Sequence, residues 1–537
     1  MSSLLKLRRG STVAHETFTG ADGEVTFNTD TNALVTHDGA TAGGFEHTTA
    51  ANLAASTGSS LVGHIASGTG SVATTVQTLL RAGFIHAVEY GVVADGTTDD
   101  SAAWQAAITA AAGRPIIGPV GTTRISTGLT YTTSGESPGL VIIGQGIGKT
   151  IFDNRVANGA MLTLDGTGTP STYALGAYLE GFTITTTTSP VVSRGVVIKG
   201  QWFAKLNRVK IKSLSSDGIE VINNSSDADG TSFIDLDKCN IASNGGWGIN
   251  FADPSVSSNA CGNQRYNQCY IVGNTSGGVR SLGISIEFAL CSIASNGGPG
   301  IKFPYAALAG ASSGIEIREC EFDANASYHI EINSAVGVDI HHNKFIYDTS
   351  YTGIRIGDAG AGTVSDVKCR SNAHRRDSGT VSAHVINSNA IYTDILDNYY
   401  PTLTGVTKVS DSGTFTRLRD NGLESKGSLA TTTTSTTVSY SPNVLTAKYH
   451  RVVITATGSF TLATPSGGVD NGQELILDIY NASGGSITVS FASGGTGTFY
   501  SAGGFVDPAN GKRKTARFIY HSTDGRWVQI GAWSPDM

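Results

Sequence analysis

One repeat governs this sequence. From about Gly176 to Tyr400, short phrases of the form small-x-apolar return: Phe182-Thr-Ile184, Val209-Lys-Ile211, Cys239-Asn-Ile241, Cys269-Tyr-Ile271, Cys291-Ser-Ile293, Cys320-Glu-Phe322 and Asn343-Lys-Phe345. Cys369 and Asp397 continue the series with a degraded last position. Steps range from 22 residues (Cys269 to Cys291) to 30 (Cys239 to Cys269), and residues 241–249 nearly duplicate 293–301. A period of this size means stacked supersecondary units, each burying its apolar side against the next.

Within each unit the pattern alternates, as in Gly314-Ile-Glu-Ile-Arg-Glu-Cys320, and Gly, Asn, Asp and Ser clusters separate the runs. Alternation of period two is strand, and those clusters are turns. No helical crossover fits between the runs. Two or three strands per unit describe an all-β chain built on a parallel β-helix, a single-stranded solenoid with coils ~4.8 Å apart. Five of the six cysteines (Cys239, Cys269, Cys291, Cys320 and Cys369) sit at the repeat position and Cys261 lies off it. The expectation is a column of packed, reduced thiols, because free Cys behaves as a small hydrophobe and the spacings match no zinc pattern.

The remaining chain divides around this stack into 1–48, 49–86, 87–426 and 427–537. Residues 1–48 read as a small β module, with Thr12–Phe18 and Val25–Phe27 strand-like. Residues 49–71 are an Ala/Ser/Thr/Gly linker. Val72, Val76, Leu79 and Leu80 then follow helical spacing, a short helix that needs a partner. From Val88 to Ile108 a Gly-x-x-x-Asp-Gly turn leads through Thr98-Asp-Asp100 into a helix whose Trp104, Ile108 and Ala111 line one face, suited to closing the end of a solenoid. Gly144 to Thr150 imitates a phosphate loop but encloses one residue too few. Six separated strands between Val452 and Ile530 suggest a β-sandwich over 427–537. The net charge of −7 argues against nucleic acid, no run is of membrane-spanning length, and the first ten residues lack the apolar core of a signal peptide.

The string Leu7-Arg-Arg-Gly-Ser-Thr12 with Asp30-Thr-Asn-Ala-Leu-Val-Thr-His-Asp-Gly39 resembles the N-terminal module of many phage tail fibre and tailspike proteins. The 88–108 segment resembles the start of pectate-lyase-like right-handed parallel β-helices, and the order of the pieces resembles a bacteriophage tailspike. That resemblance implies a virion-borne homotrimer, attached to the tail or baseplate through residues 1–48. It also implies binding, and usually cleavage, of bacterial surface polysaccharide at the cell exterior, without cofactor. It supplies no catalytic residues, so the register must. Four residues before the repeat position the column reads Lys205, Asp235, Arg265, Glu287, Glu316, Asp339 and Ser365; two before, it reads Asn207, Asp237, Asn267, Ala289, Arg318, His341 and Val367. Alternation turns these outward. Glu287, Glu316 and Asp339 on successive coils, flanked by Arg318 and His341, are therefore the candidate catalytic patch. Close stacking of like charges raises at least one carboxyl pKa and creates a proton donor, which suits a glycoside hydrolase. A lyase would instead use His341 as base and Arg318 as cation. The same residues equally describe a solvated charged face. Trp247, Tyr266, Tyr305 and Arg375 are candidate sugar contacts, with Trp202, Tyr351 and the cluster His374–Asp377 beside them. A non-enzymatic adhesin of the same architecture is the alternative function.

Overall fold

The computed structural model describes residues 6–537 except 134–137, 167–175, 188–191, 223–230, 252–261, 306–311, 348–351, 359–361, 363, 377–381, 401–406, 415, 420–429, 435–438, 443, 445–448, 467–472, 494–496, 501–504 and 522–523. Cys261, Tyr351 and Asp377 lie outside the described residues. The chain divides into two compact units, residues 1–85 and 86–537.

In the first unit, Arg8–Gly10, Val25–Asn28, Ala33–Thr36 and Phe45–Glu46 form a four-stranded sheet in that order. Thr12–Glu16 is a helical turn, not the expected strand. The cause is local: the Ser11 hydroxyl accepts the Ala14 N–H at 3.2 Å, a helix N-cap that outweighs the β propensity of Thr12 and Val13. The helix expected around Val76 and Leu80 is present as Val76–Gly83, capped by Thr75, and none of its residues is buried.

In the second unit each coil contributes three strands, one to each of three long sheets of 11, 11 and 13 strands. Neighbouring strands pair in parallel, coil upon coil, as in Ile241 with Ile271 and Ile271 with Ile293. Sharp bends between the sheets use left-handed backbone. One bend column runs Arg208, Lys238, Gln268, Leu290, Glu319 and His342, with φ between 50° and 56°. Inside, Ile, Val, Leu and Phe side chains stack in register, and almost all are buried. The helix Ser101–Ala111 presents buried Trp104, Ile108 and Ala111, with Trp104 4.9 Å from Phe152. Asp100 occupies its N-cap position but makes no side-chain cap bond; its carboxylate accepts the N–H groups of Val93 and Ala94 at 2.8 and 3.1 Å. Asp99 and Asp95 serve the neighbouring turns.

The repeat position needs one correction. Cys239, Cys269, Cys291 and Cys320 share a column, and all are buried with free thiols. Past Asn343 the column passes to Asn372 and Asn398, because Lys344 pairs with Ala373. Cys369 is buried too, but it pairs with Ile340 in another sheet. The amides form a ladder: Asn343 Nδ2 donates to Asn372 Oδ1 at 3.0 Å, and Asn372 Nδ2 to Asn398 Oδ1 at 2.9 Å. A second ladder runs Asn244, Asn274, Asn296 and Asn325, each amide donating to the next at 2.8–3.0 Å. Buried amides are tolerated here because every coil offers the next a partner.

Beyond the coils, a six-stranded and a three-stranded sheet share one apolar core around Phe460, Phe518 and Trp527. This matches the expected two-sheet packing. Its first strands pair in parallel, such as Tyr449–Ile454 with Glu474–Asn481, and an antiparallel hairpin of Arg513–His521 and Arg526–Ile530 follows.

Candidate functional site

The outward carboxylates lie where the register puts them. On the face of the 13-stranded sheet, Lys205, Asp235, Arg265, Glu287, Glu316 and Asp339 are consecutive partners. The next members are Lys368 and Asp394, not Ser365, because the column shifts by three residues with Cys369. The companion column continues from His341 to Arg370 rather than Val367. That difference matters chemically. Arg370 grips Asp339 with Nε at 3.0 Å and one terminal nitrogen at 2.8 Å, a fork-shaped pair. Arg318 holds Glu287 at 2.6 Å and reaches Glu316 at 3.8 Å, and Arg265 reaches Glu287 at 3.5 Å. The bond to Glu287 raises the Arg318 pKa. The triad of carboxylates is thus interleaved with cations, not the bare like-charge stack from which a proton donor was expected.

Glu316 is the least enclosed, its side chain 46% exposed. His341, largely buried, places Nε2 3.0 Å from Glu316 and Nδ1 2.8 Å from His342 Nδ1. One imidazole therefore donates between the two Nδ1 atoms and the other accepts.

Beside these groups runs a groove of about 560 Å³, bordered by Phe203, Phe233, Lys205, Asp235, Arg265, Glu287 and Glu316. Asp339, His341 and Arg318 do not border it. Sequence reasoning missed Phe203 and Phe233. Their rings stack at 4.5 Å with 19° between planes, and Trp202 lies 5.4 Å from Phe233. Their signal was present six residues before each repeat position, where the equivalent residues are Asn263, Ser285, Gly314 and Gly337.

The expected sugar contacts fare unevenly. Tyr266 is fully buried and stacked on Phe288 at 4.4 Å, its hydroxyl donating to Gln264, so it faces the core and not solvent. Trp247 lies in the strand Trp247–Phe251, not in a turn, and its ring covers Gly277 of the next coil, where any Cβ would collide with the indole. Its size therefore has a packing reason. Tyr305 is exposed, and Gly362 packs against its ring. Arg375 is exposed on the strand Ala373–Arg376, but His374 of the same cluster is buried, stacked between Phe345 and Tyr400. None of these four borders the groove. Among the described residues no group of three or more His, Cys, Asp or Glu could hold a metal ion, and no helix is long and apolar enough to cross a membrane.

Comparison with known proteins agrees with the fold. Residues 194–366 match the family model of the right handed beta helix region, and residues 5–41 match that of the major tropism determinant N-terminal domain. The solenoid is accordingly a right-handed parallel β-helix. Forty-five residues, 8% of this chain, are 58% identical to the tail fiber receptor-binding protein of Bordetella phage BPP-1, and the match spans 12% of that relative's length. Among solved structures, the mannuronan C-5 epimerase AlgE4 A-module of Azotobacter vinelandii aligns over 62% of this chain and 97% of its own, at 17% identity and a TM-score of 0.44. The tailspike protein 3 of bacteriophage CBA120 aligns over 98% of this chain and 86% of its own, at 13% identity and a TM-score of 0.41.

Proposed function

We propose that this chain is a phage tail receptor-binding protein whose β-helix groove binds and hydrolyses a bacterial surface polysaccharide. The close N-terminal match to a phage tail fiber receptor-binding protein supports a virion location, with residues 1–48 as the attachment module. The helix Val76–Gly83, none of whose residues is buried, supports assembly into a homotrimer. The observation that carries the enzymatic reading is a single groove holding an aromatic pair beside Glu287 and Glu316 on adjacent coils.

Adjacent strands lie ~4.8 Å apart, close to the ~5–5.5 Å carboxyl separation of retaining glycosidases. Glu287, held by Arg318 and Arg265, acts as the nucleophile: a carboxylate oxygen bonds to the anomeric carbon as the glycosidic C–O bond breaks. Glu316 gives its proton to the departing oxygen. It then takes one from water, whose oxygen replaces Glu287 and restores both groups. His341 orients Glu316. Asp339, tied to Arg370 away from the groove, has a structural role.

Purified protein spotted on lawns of encapsulated strains is expected to leave translucent halos and to release saturated reducing ends. Glu316→Gln removes the proton donor while keeping shape, so cleavage is expected to fall by orders of magnitude with folding intact. Near wild-type rates for both Glu316→Gln and Glu287→Gln would sink the catalytic assignment. The alternative is an adhesin without cleavage. It is favoured by the ion pairs of Lys205 with Asp235, Arg318 with Glu287, Arg370 with Asp339 and Arg417 with Asp394, which would stabilise an inert face. Adsorption without halos on every strain bound would establish it.

A further inference from the structure

We propose that Phe203 and Phe233 form an aromatic platform for one sugar ring of an uncharged stretch of glycan, laid along the groove toward Glu287 and Glu316. The inference rests on the groove's being a polysaccharide site and adds where the chain is gripped and which class of sugar is accepted.

Backbone conformation carries the argument. Phe203 and Phe233 have φ of 62° and 57°. A bulky aromatic in the left-handed region is rare and costs roughly 1–2 kcal/mol. The fold asks only for a residue that tolerates this bend; the same corner on the next five coils carries Asn263, Ser285, Gly314, Gly337 and Asp366, and an aromatic returns at Tyr392. Two neighbouring coils nevertheless place phenylalanine there. Phe203 stays 52% exposed, so burial does not repay the cost. Strain repeated on two adjacent coils at the border of the groove points to function, whereas the equally strained and exposed Tyr392 does not border it.

The geometry suits a pyranose. Two nearly parallel rings at 4.5 Å are stacked face to face, so together they offer an apolar wall of ring edges, ending in the half-exposed Phe203, against which the C–H face of a sugar can pack, and the small residues of the following coils leave a floor along which the glycan continues. Charge selects the class. With Glu316 in its proton-donor form, the groove border holds two cations, Lys205 and Arg265, against two carboxylates, Asp235 and Glu287, and offers no surplus positive charge. Both cations are already paired, Lys205 with Asp235 at 3.0 Å and Arg265 with Glu287 at 3.5 Å. A uronate would find no free counter-charge to replace its lost hydration, whereas a neutral hexose or N-acetylated sugar needs none.

The test uses intact protein and polysaccharide purified from a strain it adsorbs to. In a Glu316→Gln background, which isolates binding, Phe203→Asn/Phe233→Asn is expected to weaken affinity about tenfold or more. In the active protein the same pair raises KM while kcat changes little. Affinity is expected to be the same in low and high salt and to survive chemical reduction of any carboxyl groups in the polymer. Unchanged affinity and KM in the Phe pair, with cleavage still dependent on Glu316, overturns the platform alone. If neither the Phe nor the Glu substitutions alter binding or cleavage, the groove reading itself falls. Loss of affinity on carboxyl reduction overturns the uncharged class. A change in mass by light scattering in the Phe pair would assign the rings to a subunit contact instead.

Discussion

Two columns of the β-helix share one period and obey different rules. The inner column at the repeat position runs Cys239, Cys269, Cys291, Cys320, Asn343, Asn372 and Asn398. The outer corner column, six residues earlier, runs Phe203, Phe233, Asn263, Ser285, Gly314 and Gly337. Inside, after Phe182 and Val209 on the first coils, the residues are small and able to accept a hydrogen bond from the preceding coil. Cys320 Sγ accepts the Cys291 N–H at 3.4 Å, and Asn343 Oδ1 accepts that of Cys320 at 2.9 Å. Thiol and amide are interchangeable because both fill the gap and satisfy the backbone. Outside, the backbone demands left-handed φ, and three coils disregard the preference, with Phe203, Phe233 and, two coils past Gly337, Tyr392. A residue that follows its column's rule serves the fold; neighbouring residues that break the rule together at the border of a groove mark a candidate site.

The sharpest test of the inner rule is Asn372→Ala. It removes the donor to Ile340 O at 2.8 Å and the acceptor of the Asn343 N–H at 3.0 Å, and it interrupts the amide ladder on both sides. With each buried group left unsatisfied costing roughly 1–3 kcal/mol, the variant is expected to lose about 3–5 kcal/mol by denaturant titration. A loss below about 1 kcal/mol would mean that the ladder is decorative.

A smaller effect follows from the histidines stacked in the same interior. His329 is fully buried, with Nδ1 against Asn325 and Nε2 against Ile346 O, and burial pulls its pKa down to about 4. His374, between Phe345 and Tyr400 with its Nδ1 on the Tyr347 hydroxyl, is likewise lowered by burial. The unfolded chain takes up these protons near pH ~6.5 while the folded chain refuses them. Stability contributed by keeping them neutral is therefore complete above about pH 6.5 and drains away as pH falls toward 4, by ~3 kcal/mol for His329. Thermal melting at pH 7 and near pH 4.5 measures it. The pH difference should shrink in His329→Gln, and an identical difference would assign acid sensitivity elsewhere.

The contrast also explains what could be read from the sequence. Repetition of apolar alternation fixes coil, sheet and facing, so the outward column from Lys205 to Asp339 was legible before any coordinates. The register failed at Cys369 for a definable reason. The true phrase is Asn372-Ala-His374, in which a ladder amide and a neutral core histidine stand where an apolar pattern expects neither. Tyr266 was legible as a core residue: it stands between the outward Arg265 and Asn267, at the position where neighbouring coils carry Leu206, Leu236 and Phe288, and its hydroxyl finds Gln264 inside the coil. Phe203 and Phe233 escaped notice because the handedness of a bend is written only in the residues that other coils use there.

The smallest effect, and the one that separates the two rules most directly, is expected from Phe203→Asn. Asparagine tolerates left-handed backbone, as Asn263 shows at the equivalent corner with φ 53°. Relief of roughly 1–2 kcal/mol of backbone strain opposes loss of the stack on Phe233, worth about 0.5–1.5 kcal/mol, and loss of partial apolar burial. These terms nearly cancel, so the folding free energy should move by less than about 1 kcal/mol in either direction, while polysaccharide affinity falls. An inner substitution of similar size costs several times more. If Phe203→Asn instead destabilised the protein by more than about 3 kcal/mol, the ring would be a packing element of the corner. The strained aromatics would then belong with the inner column, as part of what holds the coils together.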